Sequence, residues 1–208
     1  MFQIAKYLSL ASCAFASVFV ANFAQAKPLF AKTYTYFAVH GQTAEELDRD
    51  LNSKGPQAGS TGIRHPGETQ IKFGGSAQYI EKAGSCRVKD AQISVRTKIV
   101  LPTWKNRQHA SPGLALIWDV LSSDIKRHEE RHAEIAHQHA KALEVAIKDL
   151  PPRKNCETMR AEVERVTENA VAKHDLDQQR FDKTEAINFQ ARMNRLMTQR
   201  IKQIASKK

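Results

Sequence analysis

The chain has 208 residues, 41% hydrophobic and 26% charged, with 32 Lys and Arg against 22 Asp and Glu for a net charge of +10. That length suffices for one domain with a real core, and the basic balance in an exported chain favours anionic cell-surface polymers over nucleic acid, with a solvated basic surface as the plainer reading. Three cysteines without a Cys-x-x-Cys pair argue against a cysteine-built zinc site or thioredoxin-type chemistry.

Residues 1–26 read as a secretory signal peptide. Lys6 precedes an apolar stretch from Tyr7 to Phe23, and Ala24-Gln25-Ala26 has the small-x-small cleavage pattern. Cleavage after Ala26 would send residues 27–208 to the periplasm or the exterior, with no stable membrane insertion. Leu10-Ala11-Ser12-Cys13 also matches a lipoprotein box, and lipidation of Cys13 is the alternative. After cleavage Cys86 and Cys156 remain. An even pair in an oxidising compartment usually bridges, with two separate thiols as the alternative.

The remainder reads as one domain, β-rich over 27–110 and helical over 111–208. Thr33 to Val39 is β-branched and aromatic and predicts a strand, ended by His40-Gly41. Thr43 and Glu46 form a capping box for a short helix. Residues 52–67 are rich in Gly, Pro and Ser and read as loop. Two further strands are expected over Thr69–Glu81 and Arg87–Leu101, joined through Lys82-Ala83-Gly84-Ser85, with a bulge at Gly74-Gly75. Pro102 to Ala110 is a connector. Ser111-Pro112 starts a helix that Pro151-Pro152 stops, and a second helix runs from about Asn155 to Ile204. Sheet first and helices after is an α+β pattern, with a small antiparallel sheet packed on two long helices.

The first long helix carries His128-Glu129-Glu130-Arg131-His132. Histidines four apart on a helix share one face, so both imidazoles can reach one metal, and zinc accepts neutral histidine nitrogens at about 2.0–2.1 Å. Glu129 is placed to act as general base on a zinc-bound water, and Glu130 is the less apt choice. Leu114, Ile117, Leu121, Ile125, His128, His132, Ile135, His139, Leu143, Ala146 and Leu150 repeat at threes and fours, which predicts both histidines on the buried stripe. His139 lies two turns past His132, about 10 Å along the axis and too far for the same ion. Ile135 and Gln138 stand where HExxHxxGxxH would need glycine and histidine, so the metzincin class is excluded. His137 is expected to be solvated.

The chain resembles a bacterial family of predicted secreted Zn-dependent proteases, long catalogued as a domain of unknown function. The pieces are Val39-His40-Gly41, Gly55-Pro56, Cys86-Arg87-Val88, Leu101-Pro102-Thr103-Trp104, Trp118, His128 to His132, Cys156 and Phe181-Asp182-Lys183-Thr184. The resemblance supports a Cys86–Cys156 bridge and directs attention to Asp182. The family segment continues to His-Gly, whereas Glu185-Ala186-Ile187 stands here.

A catalytic zinc usually takes three protein ligands. Asp182 is the first choice for the third, by the resemblance. His174 and Glu185 are the alternatives, with Asp175, Glu168, His40 and His65 behind them. His174, His109 and Tyr79 are the candidate transition-state donors. The expected function is an exported zinc metallopeptidase hydrolysing peptide or amide bonds of a protein or cell-envelope substrate. The alternative is a catalytically degenerate periplasmic zinc-binding or scaffold protein. A third reading makes the basic stretch from Arg192 to Lys208, with Arg195, Arg200 and Lys202, a surface for anionic lipid or polymer.

Overall fold

The computed structural model describes residues 29–57 and 64–206; the expected signal peptide, its cleavage point and Cys13 lie outside them. The elements in order are β1 (Phe30–Val39), α1 (Ala44–Lys54), β2 (Glu68–Lys82), β3 (Ser85–Trp104), α2 (Pro112–Lys148) and α3 (Cys156–Ala205), with a short 3-10 turn at Arg107–His109. The fold is α+β. Among the described residues no helix is long and apolar enough to cross a membrane.

Strand order is β1-β3-β2. β2 and β3 form the expected antiparallel hairpin, closed at the two-residue turn Ala83-Gly84. Both turn residues have positive φ, 51° and 69°, the twist that a tight hairpin requires. β1 instead runs parallel to β3, from Phe30 beside Val95 to Val39 beside Trp104, so the sheet is mixed rather than antiparallel throughout. After β1 the chain passes through α1, and β2 then runs back in the opposite sense. β3 returns between the two and becomes the centre. Local turn signals fix the hairpin but carry no information on this long-range pairing.

Gly74 and Gly75 are not a bulge; they pair in register with Ser94 and Ile93. The register shift falls at Gln78/Tyr79, where Lys89 is the extra residue. Gly75 answers a close approach, since a Cβ there would lie 2.8 Å from the Gln92 carbonyl oxygen.

Ser111 caps α2, its hydroxyl accepting from the Leu114 N–H, with Pro112 in the first turn. The buried face of α2 runs through Ala115, Trp118, Ile125, Glu129, Ala133, Ala136, Ala140, Leu143 and Ile147. It packs on Ala91, Ile93, Val95, Ile99 and Leu101 of β3. This stripe is rotated by about one residue from the one expected: Ile117 is 44% exposed, and Glu129 rather than the histidines faces the core. The alanine column explains the rotation, because small side chains let the helix lie close on the sheet. A second cluster of Val39, Leu47, Leu51, Trp104 and Trp118 holds α1, with the Trp104 indole N–H donating to the Gly41 carbonyl at 2.7 Å.

α3 spans 50 residues but fully buries only Met159 and His174, so it lies along α2 as a half-solvated strut. Its start is fixed to the sheet. Cys86 and Cys156 are disulfide-bonded, and the Cys86 and Arg153 backbones exchange two hydrogen bonds of 2.8 Å.

Candidate metal centre

The long antiparallel contact of α2 and α3 brings residues 128–132 opposite residues 178–185. His128, His132 and Asp182 each offer one ligand atom, and these atoms all lie within 4.8 Å of one another. His132 Nε2 is 3.0 Å from His128 Nε2 and 2.9 Å from Asp182 Oδ1; His128 Nε2 is 3.3 Å from the same oxygen. Two imidazole nitrogens and a carboxylate oxygen at such separations need a shared proton or a cation between them. A borderline-soft divalent ion such as zinc fits this donor set. Phe181 packs on both imidazoles, its ring 4.9 Å from His128 and 5.1 Å from His132.

The outer nitrogens are held as well. Gln178 Nε2 donates to the His132 carbonyl at 3.1 Å, and only the amide NH₂ can do so. Its Oε1 therefore faces His132 Nδ1 at 2.5 Å and accepts the proton there, so in the neutral ring the lone pair is on Nε2, toward the cluster. The second Gln178 N–H reaches His174 Nε2 at 2.8 Å, and His174 Nδ1 contacts Asp175 at 2.9 Å. His174 is thus a buried support behind Gln178 and is not brought into the cluster. Glu185 stands 3.6 Å from His128 Nδ1, on the far side of the ring from Asp182. It is held by Arg127 and by Arg192, whose guanidinium also grips both oxygens of buried Asp124 at 3.1 Å. Arg192 is thereby committed to this network rather than to a basic outer face.

Glu129 sits on the sheet side of the helix and is 5% exposed. Burial pushes its carboxyl above the usual carboxylate range, against the Thr69 hydroxyl, which lies 2.8 Å from Oε2. Gly67 makes room for it, since a Cβ there would come within 2.8 Å of Oε1. Burial likewise opposes charge on Asp182, but hydrogen bonds from His128 and His132, the latter only when its ring is protonated on both nitrogens, outweigh it and hold that carboxyl well below its ordinary value. For His132 burial pulls downward, and Asp182 with Gln178 more than offsets it, so the net shift is upward. Glu130 points to the other side, accepting from the Tyr34 hydroxyl at 2.6 Å and pairing with Lys126 at 3.1 Å.

The cluster opens into a groove of about 590 Å³ between β2 and α3, with Gly67, Thr69, Ile125, Ala186 and Phe189 among its walls. His65 lines the same groove. His109 and Tyr79 do not; Tyr79 lies under the Arg160 guanidinium instead. His40, Glu168 and Asp175 are outside the ligand cluster. His137 is not solvated but half-buried, its ring tilted against Phe30 at 3.9 Å, and His139 bonds Asp177 at 3.0 Å.

The family described as "Bacterial protein of unknown function (DUF922)" matches residues 34–190, from within β1 to just past Phe189 on α3. The chain belongs to DUF922. No curated protein and no solved structure matches it. In this DUF922 chain the match takes in both strands of the hairpin, the two histidines, Glu129 and the supporting residues of α3. Gln178, Asp124, Arg192, Gly67 and Thr69 were missed by sequence reasoning. For Gln178 a signal existed: Gln178, Asp182 and Glu185 are spaced four and three apart, one helical face.

Proposed function

We propose that this DUF922 protein is an exported zinc metallopeptidase, with His128, His132 and Asp182 holding the ion and Glu129 acting as general base. The observation that carries this reading is the convergence of three ligand atoms beside a buried carboxylate at the wall of an open groove. Zinc in such a donor set supplies Lewis acidity, polarising a carbonyl and making water more acidic.

The chain's own residues do the rest. Gln178 keeps the His132 lone pair on Nε2, and Glu185 faces the outer nitrogen of His128. Glu129, raised by burial, takes the proton of the attacking water and returns it to the leaving amine. The groove between β2 and α3 receives a peptide from a protein or cell-envelope substrate. The Cys86–Cys156 bridge is compatible with a compartment outside the cytoplasm.

The test is hydrolysis of a fluorogenic peptide library by the zinc-loaded protein and by Glu129→Gln. Loss of the general base lowers kcat by about 10²–10⁴-fold with zinc retained. Zinc bound at one equivalent with no hydrolysis of any library member would make the chain a zinc-binding protein without peptidase activity. That reading draws on Ala186, which lines the groove in the stretch where the family segment carries His-Gly.

A further inference from the structure

α2 covers one face of the sheet, and the other carries an unusual charge pattern. Residues of β2 and β3 that point away from α2 include Gln70, Lys72, Ser76, Gln92, Arg96 and Lys98, all exposed. Lys72 stands directly opposite Arg96, and Lys98 is the next residue on the same side of β3. Directly opposed side chains have Cβ atoms about 5 Å apart, and like charges in that position are destabilising. Among the described residues none of the three cations has an acidic partner. The acids nearest this face lie at its ends and are occupied: Glu68, at the rim of the groove, accepts from Gln70, and Asp90 reaches Lys148 at the end of α2. An anion laid across the middle would relieve the repulsion.

Beside Arg96 the same face is hollow. Gly75, Ser76, Gln92, Ser94 and Arg96 line a depression of about 350 Å³ with Leu29 and Ala31 at its edge. The hollow exists because the neighbouring pair is Gly74 opposite Ser94, and a Cβ on Gly74 would come to 3.1 Å of the Ser94 hydroxyl. The Ser76 and Ser94 hydroxyls and the Gln92 amide have no hydrogen-bond partner among the described residues. Hydroxyls and an amide beside a guanidinium match a ring bearing several hydroxyls and a carboxylate.

We propose that this face binds an acidic polysaccharide, with its carboxylates on Lys72, Arg96 and Lys98 and sugar hydroxyls in the Ser76–Gln92–Ser94 hollow. The alternatives fit less well. No aromatic side chain lies on this stretch for nucleobases to stack on. Leu29 at one edge is too little apolar surface for insertion into a bilayer. The inference is independent of the zinc reading, since the face lies across the sheet from Glu129.

The test is calorimetric titration of the purified protein with polygalacturonate, and with neutral dextran for comparison. Three variants accompany it: Lys72→Ser/Arg96→Ser/Lys98→Ser, a control with equal charge loss at Lys141, Arg195 and Lys202, and Ser94→Phe to fill the hollow. Melting curves check that each is folded, and Ser76→Phe replaces Ser94→Phe if that variant is not. Expected are binding of polygalacturonate but not dextran, weakening by about tenfold or more in the sheet variant, and a change below about twofold in the control. Filling the hollow weakens binding without altering charge. The proposal is overturned if the wild type does not bind at low salt or if the two charge variants weaken equally. It is also overturned if single-stranded DNA or anionic vesicles bind through the same three residues more tightly than polygalacturonate does.

Discussion

Gln178 grips His132 at both ends, accepting from the ring Nδ1 at 2.5 Å and donating to the same residue's carbonyl at 3.1 Å. One side chain of α3 therefore fixes both the orientation and, in the neutral ring, the tautomer of a histidine of the candidate metal cluster on α2. Such outer partners usually contribute about 10–100-fold in metal affinity. Gln178→Leu is expected to weaken zinc binding by that factor while the protein stays folded. Gln178→Glu, which keeps an acceptor for Nδ1–H, retains most of the affinity. Competition titration with a zinc chelator dye reads both, and equal affinities for wild type and Gln178→Leu would remove the assignment.

Gly67 and Glu129 form the complementary relationship on the sheet side. A methyl at Gly67 would crowd Glu129 Oε1 at 2.8 Å and displace the carboxylate from its place against Thr69. Gly67→Ala is therefore expected to keep zinc and to lose peptidase turnover, by about tenfold or more. Parallel assays of zinc content and kcat check this; loss of zinc instead would mean that Gly67 supports the ligands rather than the base.

Much of this arrangement was legible in the chain. His128, Glu129 and His132 carry it in their spacing, and helix stops at Pro151-Pro152 and a cap at Ser111 are local chemistry that the fold honours. Asp182 came from resemblance rather than from pattern, because α3 is charged nearly throughout and its periodicity is faint. The rotation of the α2 stripe was hidden by a rule that counts alanine weakly: Ala133, Ala136 and Ala140 define the buried face through close approach, not bulk. The parallel pairing of β1 with β3 depends on residues more than 60 apart in sequence, such as Phe30 and Val95, and no local signal encodes it.

The Cys86–Cys156 bridge closes a loop with a sequence separation of 70 and ties α3 to the hairpin end of the sheet. Chain entropy puts its contribution at roughly 4 kcal/mol, less where the reduced state keeps structure. The double variant Cys86→Ser/Cys156→Ser is expected to unfold at lower denaturant concentration, and reductant should shift the wild type by the same amount. Coincident midpoints for variant and wild type would show that the backbone pair at Cys86 and Arg153 suffices alone.

Arg107 clamps Asp119 with two hydrogen bonds, of 2.8 and 2.6 Å, joining the connector to α2. The hydrogen bond from Arg107 holds the Asp119 carboxyl below its usual value. A carboxyl depressed in the folded state stabilises the protein above its unfolded pKa, about 3.9, and that stability is lost as pH falls through the lower folded value. The pair is partly solvated, so the effect stays below about 1 kcal/mol. Asp119→Asn should thus be slightly less stable than wild type at neutral pH, and the difference should vanish in acid. Denaturant midpoints from neutral pH down through the depressed folded value measure it; a gap that persists once Asp119 is protonated in the folded state would point to a cause other than this charge.

The central claim is that His128, His132 and Asp182 hold one zinc ion, and elemental analysis of the purified protein tests it most directly. The account predicts close to one zinc per wild-type chain, lost in His132→Ala and in Asp182→Ala with the melting profile of the apoprotein preserved. Zinc lost in His132→Ala but kept in Asp182→Ala would overturn Asp182 as the third ligand. No zinc in the wild type after reconstitution would contradict the claim outright.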